Sequence, residues 1–267
     1  MTKFFAIFLA ALIKAITGVF PRWKSLTMRA RLFDRLQPVE TVSINGKTLK
    51  LLIPNRTCVY WAKYGPGSET TTNAWIASFE KDDTFVDIGA NIGLYSLLAA
   101  AHGVSKTYAI EPNPFSFSVL AHNVVTNGFS RQIAPLCLAM NNRSSLVTFK
   151  LGGLHAGNVE NEIAKGEKLG EGVPLTTASF SIDELFCIQG ITGINHLKID
   201  VDGLELEILK GADKLLSDKF LKSILVEDNS GEKFEYSELF ALIEKYSFKK
   251  SDEWGHDITS NQIFTRA

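Results

Sequence analysis

From residue 84 onward, short apolar runs alternate with longer stretches whose apolar positions recur at helical spacing. "TFVDIG", "KTYAIEP" and "QIAPLCLAM" read as strands, and "NIGLYSLLAAA" and "PFSFSVLAHNVVTN" as helices. Strands separated by helices of that length predict a parallel sheet with right-handed crossovers. The punctuation agrees: Asn113 can cap the second helix with Pro114 at its first position, and Asn127-Gly128 can end it in the left-handed conformation. Further on, Ser181 and Glu184 form a capping box over "SIDELF", "HLKIDV" is a strand, "LELEILKGA" is a helix stopped by Gly211, and "KSILVE" is a strand. The end, "ELFALIEKYSF", "FKKSDEW" and "NQIFTRA", reads as helix, strand, strand, so an antiparallel pair finishes the parallel sheet. Upstream, "TVSINGKTLKLLIP" alternates around Asn45-Gly46, a hairpin signature, and is expected to cover the edge or entrance of the sheet. Gly65-Pro66-Gly67 reads as a loop before a helix that one of the following threonines caps.

The first 38 residues are set apart as a helical extension, 39–70 as hairpin and linker, and 71–267 as the main domain. Residues 1–36 hold seven Lys/Arg against the single acid Asp34, a net of +6, while the remaining 21 Lys/Arg face 28 Asp/Glu. An acidic body without a basic stripe argues against a nucleic-acid ligand. Residues 4–20 are apolar nearly all round but interrupted by Lys14, and five of the seven cations follow them, which disfavours an export signal. The stretch is marginal for a span of about 20 apolar residues. It suits either an interfacial helix at an anionic cytoplasmic leaflet or a terminal helix packed on the domain or on a second subunit of a homo-oligomer. Cys58, Cys137 and Cys187, odd in number and widely spaced, suggest neither disulfides nor zinc and fit a reducing, cytoplasmic setting.

In a parallel sheet of this kind ligands bind beyond the carboxyl ends of the strands. "FVDIGANIGLYSLLAA", residues 85–100, is the first such turn. Gly89 lets the backbone turn sharply, Gly93 permits close approach to a ligand or to the sheet, and the free N–H groups of the helix favour polar or negative atoms. The spacing Gly-x-x-x-Gly does not match the pattern suited to a pyrophosphate. Glu111, 22 residues after Gly89 and at the end of the second strand, can accept hydrogen bonds from both hydroxyls of a ribose. Together they point to a nucleoside beside a turn that needs no phosphate. The Asp87 carboxylate is expected to face a cation such as an ammonium or sulfonium.

"FVDIGANIGLYSLLAA", "AIEPNPFSFSVLAHNVVTNG", "SIDELF", "HLKIDVDGLELEILKGA" and "SILVE" resemble the successive motifs of FkbM-type methyltransferases from about residue 70 to the C-terminus. The resemblance implies a Rossmann-like class I methyltransferase fold: a mainly parallel seven-stranded sheet with an antiparallel terminal strand and helices on both faces. It implies S-adenosyl-L-methionine as cofactor and methyl transfer to a hydroxyl on a sugar, polyketide or lipid-linked acceptor, a small molecule or glycan. By position, Asp87, Gly89, Ala90, Asn91 and Gly93 would form the cofactor turn. Glu111 would hold the ribose, with Pro112 and Asn113 beside the adenosine. Ala139 to Asn142 resembles the adenine-side segment, where Asn141-Asn142 replace the familiar acid.

Methyl transfer is an in-line displacement, so the enzyme mainly aligns donor and acceptor, and a base is needed only if the hydroxyl must lose its proton. Asp200, at the carboxyl end of "HLKIDVDG", is the first choice for that base. Lys198 shares its strand face and could lower the carboxylate's pKa or orient the acceptor. Asp202 follows two residues on, and Glu205 begins a helix whose N-terminus it can favour. Glu227 and Asp228 end the fifth strand beside the site and offer an acceptor hydrogen bond or a second base. Nothing in the spacing of these acids demands a metal. His155, in the Gly-rich segment "LGGLHAGNVENEIAKGEKLGEGVP", and His256 sit in loops that could reach the crevice, and the former segment is assigned to acceptor recognition. Two other functions fit the same elements: a nicotinamide oxidoreductase, and a non-catalytic protein that binds S-adenosyl-L-methionine.

Overall fold

The computed structural model describes residues 2–158, 162–163, 172–201, 203–227, 233–254 and 261–267. The chain divides into two compact units, residues 1–39 and 40–267. The first holds helices α1 (Thr2–Gly18) and α2 (Arg22–Arg35). Pro21 sits at the N-cap of α2, where its missing N–H costs nothing. Thr17 Oγ1 donates back to Ile13 O at 2.7 Å, and Arg29 donates to Ser25 Oγ at 2.8 Å.

The second unit opens with the hairpin β1 (Val39–Ile44) and β2 (Lys47–Leu52), joined through Asn45 and Gly46 at φ +48° and +74°. Positive φ at both turn positions is what the Asn-Gly pair predicts. The hairpin lies on helices rather than on the sheet edge, because amide side chains satisfy its backbone: Asn123 Oδ1 accepts from Leu52 N, and Asn127 both accepts from Lys50 N and donates to Lys50 O. Next come α3 (Arg56–Ser68) and α4 (Thr70–Ala77). The expected Gly-Pro-Gly loop lies inside α3, which Asn55 caps by accepting from Cys58 N at 3.0 Å. Gly65 is held there by packing, since a Cβ would come within 2.9 Å of Leu94. The N-cap of α4 is Glu69 rather than a threonine.

The alternation then follows: β3 (Thr84–Ile88), α5 (Leu94–His102), β4 (Lys106–Ile110), α6 (Pro114–Thr126) and β5 (Ile133–Leu136). The stretch read as one third strand breaks after Leu136, and its end is β6 (Ala139–Met140). With β7 (Ser145–Leu151), β8 (Glu162–Ile163) and β9 (Val173–Phe180) it forms a second, four-stranded sheet in the order β6-β9-β7-β8. After these lie α7 (Ile182–Gln189), β10 (His196–Ile199), α8 (Glu205–Lys210), α9 (Asp213–Ser217), β11 (Ser223–Glu227), α10 (Lys233–Lys245), β12 (Phe248–Lys250) and β13 (Asn261–Arg266).

The main sheet has seven strands in the order β12-β13-β11-β10-β3-β4-β5. The run from β11 to β5 is parallel, and β13 pairs antiparallel with both β11 and β12. Successive residues feed opposite cores, as a pleated strand requires. Phe85 and Leu225 pack with the hairpin, α4, α5 and α6, whereas Val86, Ile88, Ile224 and Val226 pack with α7, α8, α9 and α10. Strand order reverses between β3 and β10, so their carboxyl ends diverge and leave a crevice.

At the opposite, amino edge a buried polar chain ties these strands together. Trp75 Nε1 donates to Ser223 Oγ at 2.8 Å, Ser223 Oγ lies 2.7 Å from His196 Nδ1, and His196 Nε2 lies 2.9 Å from Asp83 Oδ2. With the serine oxygen accepting from tryptophan, its proton goes to Nδ1 and Nε2–H faces Asp83, which suits a neutral imidazole. The serine, histidine and aspartate are each less than 7% exposed, so this order of residues fastens strands and has no room for a substrate.

Candidate active site

A cavity of about 440 Å³ opens at the carboxyl ends of β3, β4, β10 and β11. The turn after β3 forms one wall. Gly89 has φ +82°, and a Cβ there would lie 1.8 Å from the carbonyl oxygen of Asp200. Only glycine lets β10 run past this turn, and that passage sets Asp200 over the cavity. Gly89 N and Ala90 N both donate to Ile110 O at 3.0 Å, and Asn91 N donates to Glu111 Oε2 at 2.8 Å. These turn N–H groups are therefore spent on Ile110 and Glu111.

Glu111 lines the cavity, and its other oxygen accepts from Asn113 N at 2.8 Å. One carboxylate thus clasps two turns and is held in a fixed orientation. Asn91 also lines the cavity, with a positive φ of +50° and a buried Oδ1 that lacks a hydrogen-bond partner. A buried amide oxygen without a donor fits a site completed by a ligand that supplies one. Pro112, Ile110, Ala139, Met140 and Phe149 add an apolar wall.

Four residues expected at the cofactor do not line the cavity. Asp87 is fully buried, and its Oδ2 accepts from Ser96 Oγ at 2.5 Å, so it holds the first turn of α5. The cation beside it belongs to the protein: Lys198 is its register partner across the β3–β10 pairing. Burial pushes the Asp87 carboxyl up, with Lys198 and Ser96 opposing. Gly93 serves packing, since a Cβ would lie 2.4 Å from Leu120 Cδ1. Asn113 is buried and caps α6 by accepting from Phe115 N at 3.0 Å. Asn141 is tied through its N–H to Phe180 O at 2.9 Å, in the second sheet.

The polar floor is built around Lys198, whose side chain is 1% exposed and lies 5.0 Å from the centroid of the Tyr95 ring. Its Nζ is hydrogen-bonded to Asp200 Oδ2. Burial alone would lower the Lys198 pKa, but Asp200, Asp87 and Glu69 outweigh it and keep the ammonium charged. Burial alone would likewise raise Asp200; Lys198 and a hydrogen bond with Glu227 outweigh it and hold that carboxyl below its usual range. Glu69, from the start of α4, is pushed up by burial, with Lys198 pulling the other way. The Tyr95 phenol is raised by burial and by Glu69.

Glu205 stays outside the cavity lining and caps its own turn, accepting weakly from Val201 N and Gly203 N at 3.3 and 3.4 Å. Burial pushes its carboxyl up to about 7. His155 is exposed, but the segment that carries it does reach the cavity. Trp61 Nε1 donates to Gly157 O at 2.8 Å, Asn55 Nδ2 donates to Ala156 O at 3.1 Å, and Asn158 lines the wall. Asp202, Asp228, His256 and most of residues 159–171 lie outside the described residues. Among the described residues no group of three or more His, Cys, Asp or Glu is placed to hold a metal.

Sequence reading missed Tyr60, Trp61, Glu69, Tyr95 and Asn158, all of which line the cavity. Tyr60, Trp61 and Tyr64 form one aromatic cluster, with ring centroids 6.0 and 5.0 Å from Tyr60. Adjacent aromatics before an isolated acid were the available signal, but reading Gly65-Pro66-Gly67 as a loop removed the helix that carries them to the site.

The model of the methyltransferase FkbM domain matches residues 87–251. The hexuronic acid methyltransferase AglP of Haloferax volcanii is 26% identical over 165 residues, 62% of this chain and 64% of that protein. Methyltransferase sdnD of Sordaria araneosa is 29% identical over 52% of this chain and 64% of its own. The chain thus spans less than two thirds of the length of either relative. An FkbM methyltransferase crystal structure from Methylobacillus flagellatus KT superposes with a TM-score of 0.52 at 16% identity, over 74% of this chain and 47% of that one, which shows a shared fold.

Proposed function

The chain belongs to the FkbM methyltransferase family, and on that premise we propose that it is an S-adenosyl-L-methionine-dependent O-methyltransferase acting on a hydroxyl of a sugar, polyketide or lipid-linked acceptor. The observation that carries this reading is Asp200, a carboxylate kept ionised by Lys198 in the same cavity as the clamped Glu111. When bound, S-adenosyl-L-methionine supplies an electrophilic methyl group on a sulfonium. Glu111 would hold the ribose hydroxyls, Asn91 Oδ1 would take a donor from the amino-acid part, and Met140, Phe149 and Ile110 would cover the adenine.

Asp200 would accept the hydrogen bond of the acceptor hydroxyl and so point an oxygen lone pair into the cavity. Positive charge grows on that oxygen as its new bond forms, so its proton becomes strongly acidic and even a weakly basic carboxylate can take it. Lys198 keeps Asp200 ionised for this purpose and does not itself need to touch the acceptor. Tyr60 and Trp61 offer aromatic faces on which the apolar face of a sugar ring or a polyketide can lie. A dinucleotide fits less well, since the turn N–H groups that would cradle a pyrophosphate already bond to Ile110 and Glu111.

Calorimetric titration with S-adenosylhomocysteine and, separately, NAD tests the cofactor. Saturable binding of the former alone, weakened in Glu111→Gln, is expected; binding of NAD alone would overturn the reading. An acceptor screen with labelled methyl donor then tests the chemistry, with Asp200→Asn expected to bind S-adenosylhomocysteine but to turn over far more slowly.

A further inference from the structure

The N-terminal unit leaves its apolar residues uncovered. Phe4, Phe8 and Ile16 on α1, Val19 in the connection, and Trp23 and Phe33 on α2 are each 57% to 80% exposed. On α1 the exposed large apolar residues Phe4, Phe5, Ile7, Phe8, Leu9, Leu12 and Ile16 span more than half of the helix circumference, wider than the stripe that one partner helix covers. A bilayer surface covers a face of that breadth while leaving the opposite side in water. No described helix is long and apolar enough to cross a membrane.

The charges narrow the choice further. Lys3 and Lys14, eleven residues apart, fall on one side of α1, and Lys24, Arg31 and Arg35 share one face of α2 while Trp23, Leu26 and Phe33 share another. The segment carries seven cations and one acid over residues 1–36. A second copy of the same helix pair would bring like charges together, whereas an anionic bilayer offers both missing partners, acyl chains for the aromatics and phosphates for the cations. We propose that residues 2–36 form a monotopic anchor that lies in the headgroup region of anionic lipid bilayers.

The test is flotation of the full chain with vesicles of phosphatidylcholine alone and of phosphatidylcholine with phosphatidylglycerol in equal parts. Strong binding to the anionic vesicles is expected, falling steeply as salt is raised from about 0.1 M to 1 M, where the screening length drops from about 10 Å to 3 Å. The triple variant Lys24→Gln/Arg31→Gln/Arg35→Gln should lose about a hundredfold in affinity, since each cation near an anionic surface contributes about fivefold. Phe4→Ser/Phe8→Ser/Trp23→Ser should also release the protein, and unchanged thermal unfolding of both variants would show that the fold is intact. Failure to float, or equal floating on both vesicle types with no loss in the charge variant, overturns the proposal. So does a lipid-free oligomer that the apolar variant disperses, which would assign the surface to a second copy.

Discussion

Gly89 and Asp200 touch across the switch point of the sheet: the carbonyl oxygen of Asp200 occupies the space that a side chain at Gly89 would need. One residue shapes the proposed cofactor turn and the other is the proposed base, so any change at the first displaces the second. Gly89→Ala is expected to cost on the order of 2–4 kcal/mol, combining left-handed strain with overpacking against backbone. Gly46→Ala, also at positive φ but with nothing within 4 Å, should cost only about 1 kcal/mol. Urea denaturation of the two variants measures the difference, and equal losses would refute the contact.

Asp200→Asn should lower kcat by about 10²- to 10⁴-fold, the usual contribution of a positioned base, with the affinity for S-adenosylhomocysteine nearly unchanged. An equal loss in cofactor affinity would mean that Asp200 shapes the pocket and is not the base.

Lys198→Met leaves Asp200, Asp87 and Glu69 without their shared cation, a change expected to cost about 3–5 kcal/mol because unpaired buried charge remains. Lys198 holds Asp200 low, so in surviving protein the acidic limb of the kcat profile should move to higher pH. A profile that stays in place would remove Lys198 from control of the base.

Three groups outside the site give stability a pH dependence, one of them opposite in sign to the other two. Glu205, raised by burial to about 7, makes a contribution that is present below the unfolded value of 4.5 and lost as pH rises through 7. Burial depresses His196, with Asp83 opposing, so its contribution is present above the unfolded value of 6.5 and lost as pH falls below it. Asp83, held down to about 2 by His196, Lys222 and Glu80 against its burial, extends that loss below 3.8. Urea midpoints across this range should fall on both sides, and Glu205→Gln should flatten the alkaline side alone.

Trp61→Ala should raise the KM for the acceptor several-fold while leaving S-adenosylhomocysteine binding within about twofold, because its ring lines the cavity and carries no proposed cofactor contact. Equal weakening of both ligands would place Trp61 at the donor.

Much of the fold was legible because its signals are local. Alternating strand and helix periodicity, the Ser181–Glu184 box, Asn113-Pro114 and the Asn45-Gly46 turn each depend on neighbours a few residues away, and each stands as expected. The second sheet was not, since β7 and β9 pair across a gap of more than twenty residues and the strand-breaking step between Leu136 and Ala139 has no distinctive composition.

At the site, the chain's own order established the glycine at 89, the acid at 111 and the Lys-x-Asp of β10, because turn geometry and strand alternation follow from residue type and spacing. Tertiary packing decided which of them face the cavity. It turned Asp87 inward to Ser96 and Lys198, set Gly93 against Leu120, and carried Tyr60, Trp61 and Glu69 in from α3 and α4. Periodicity specifies the face of an element on which a side chain lies; what stands opposite that face depends on strand order and on contacts between residues far apart in the chain.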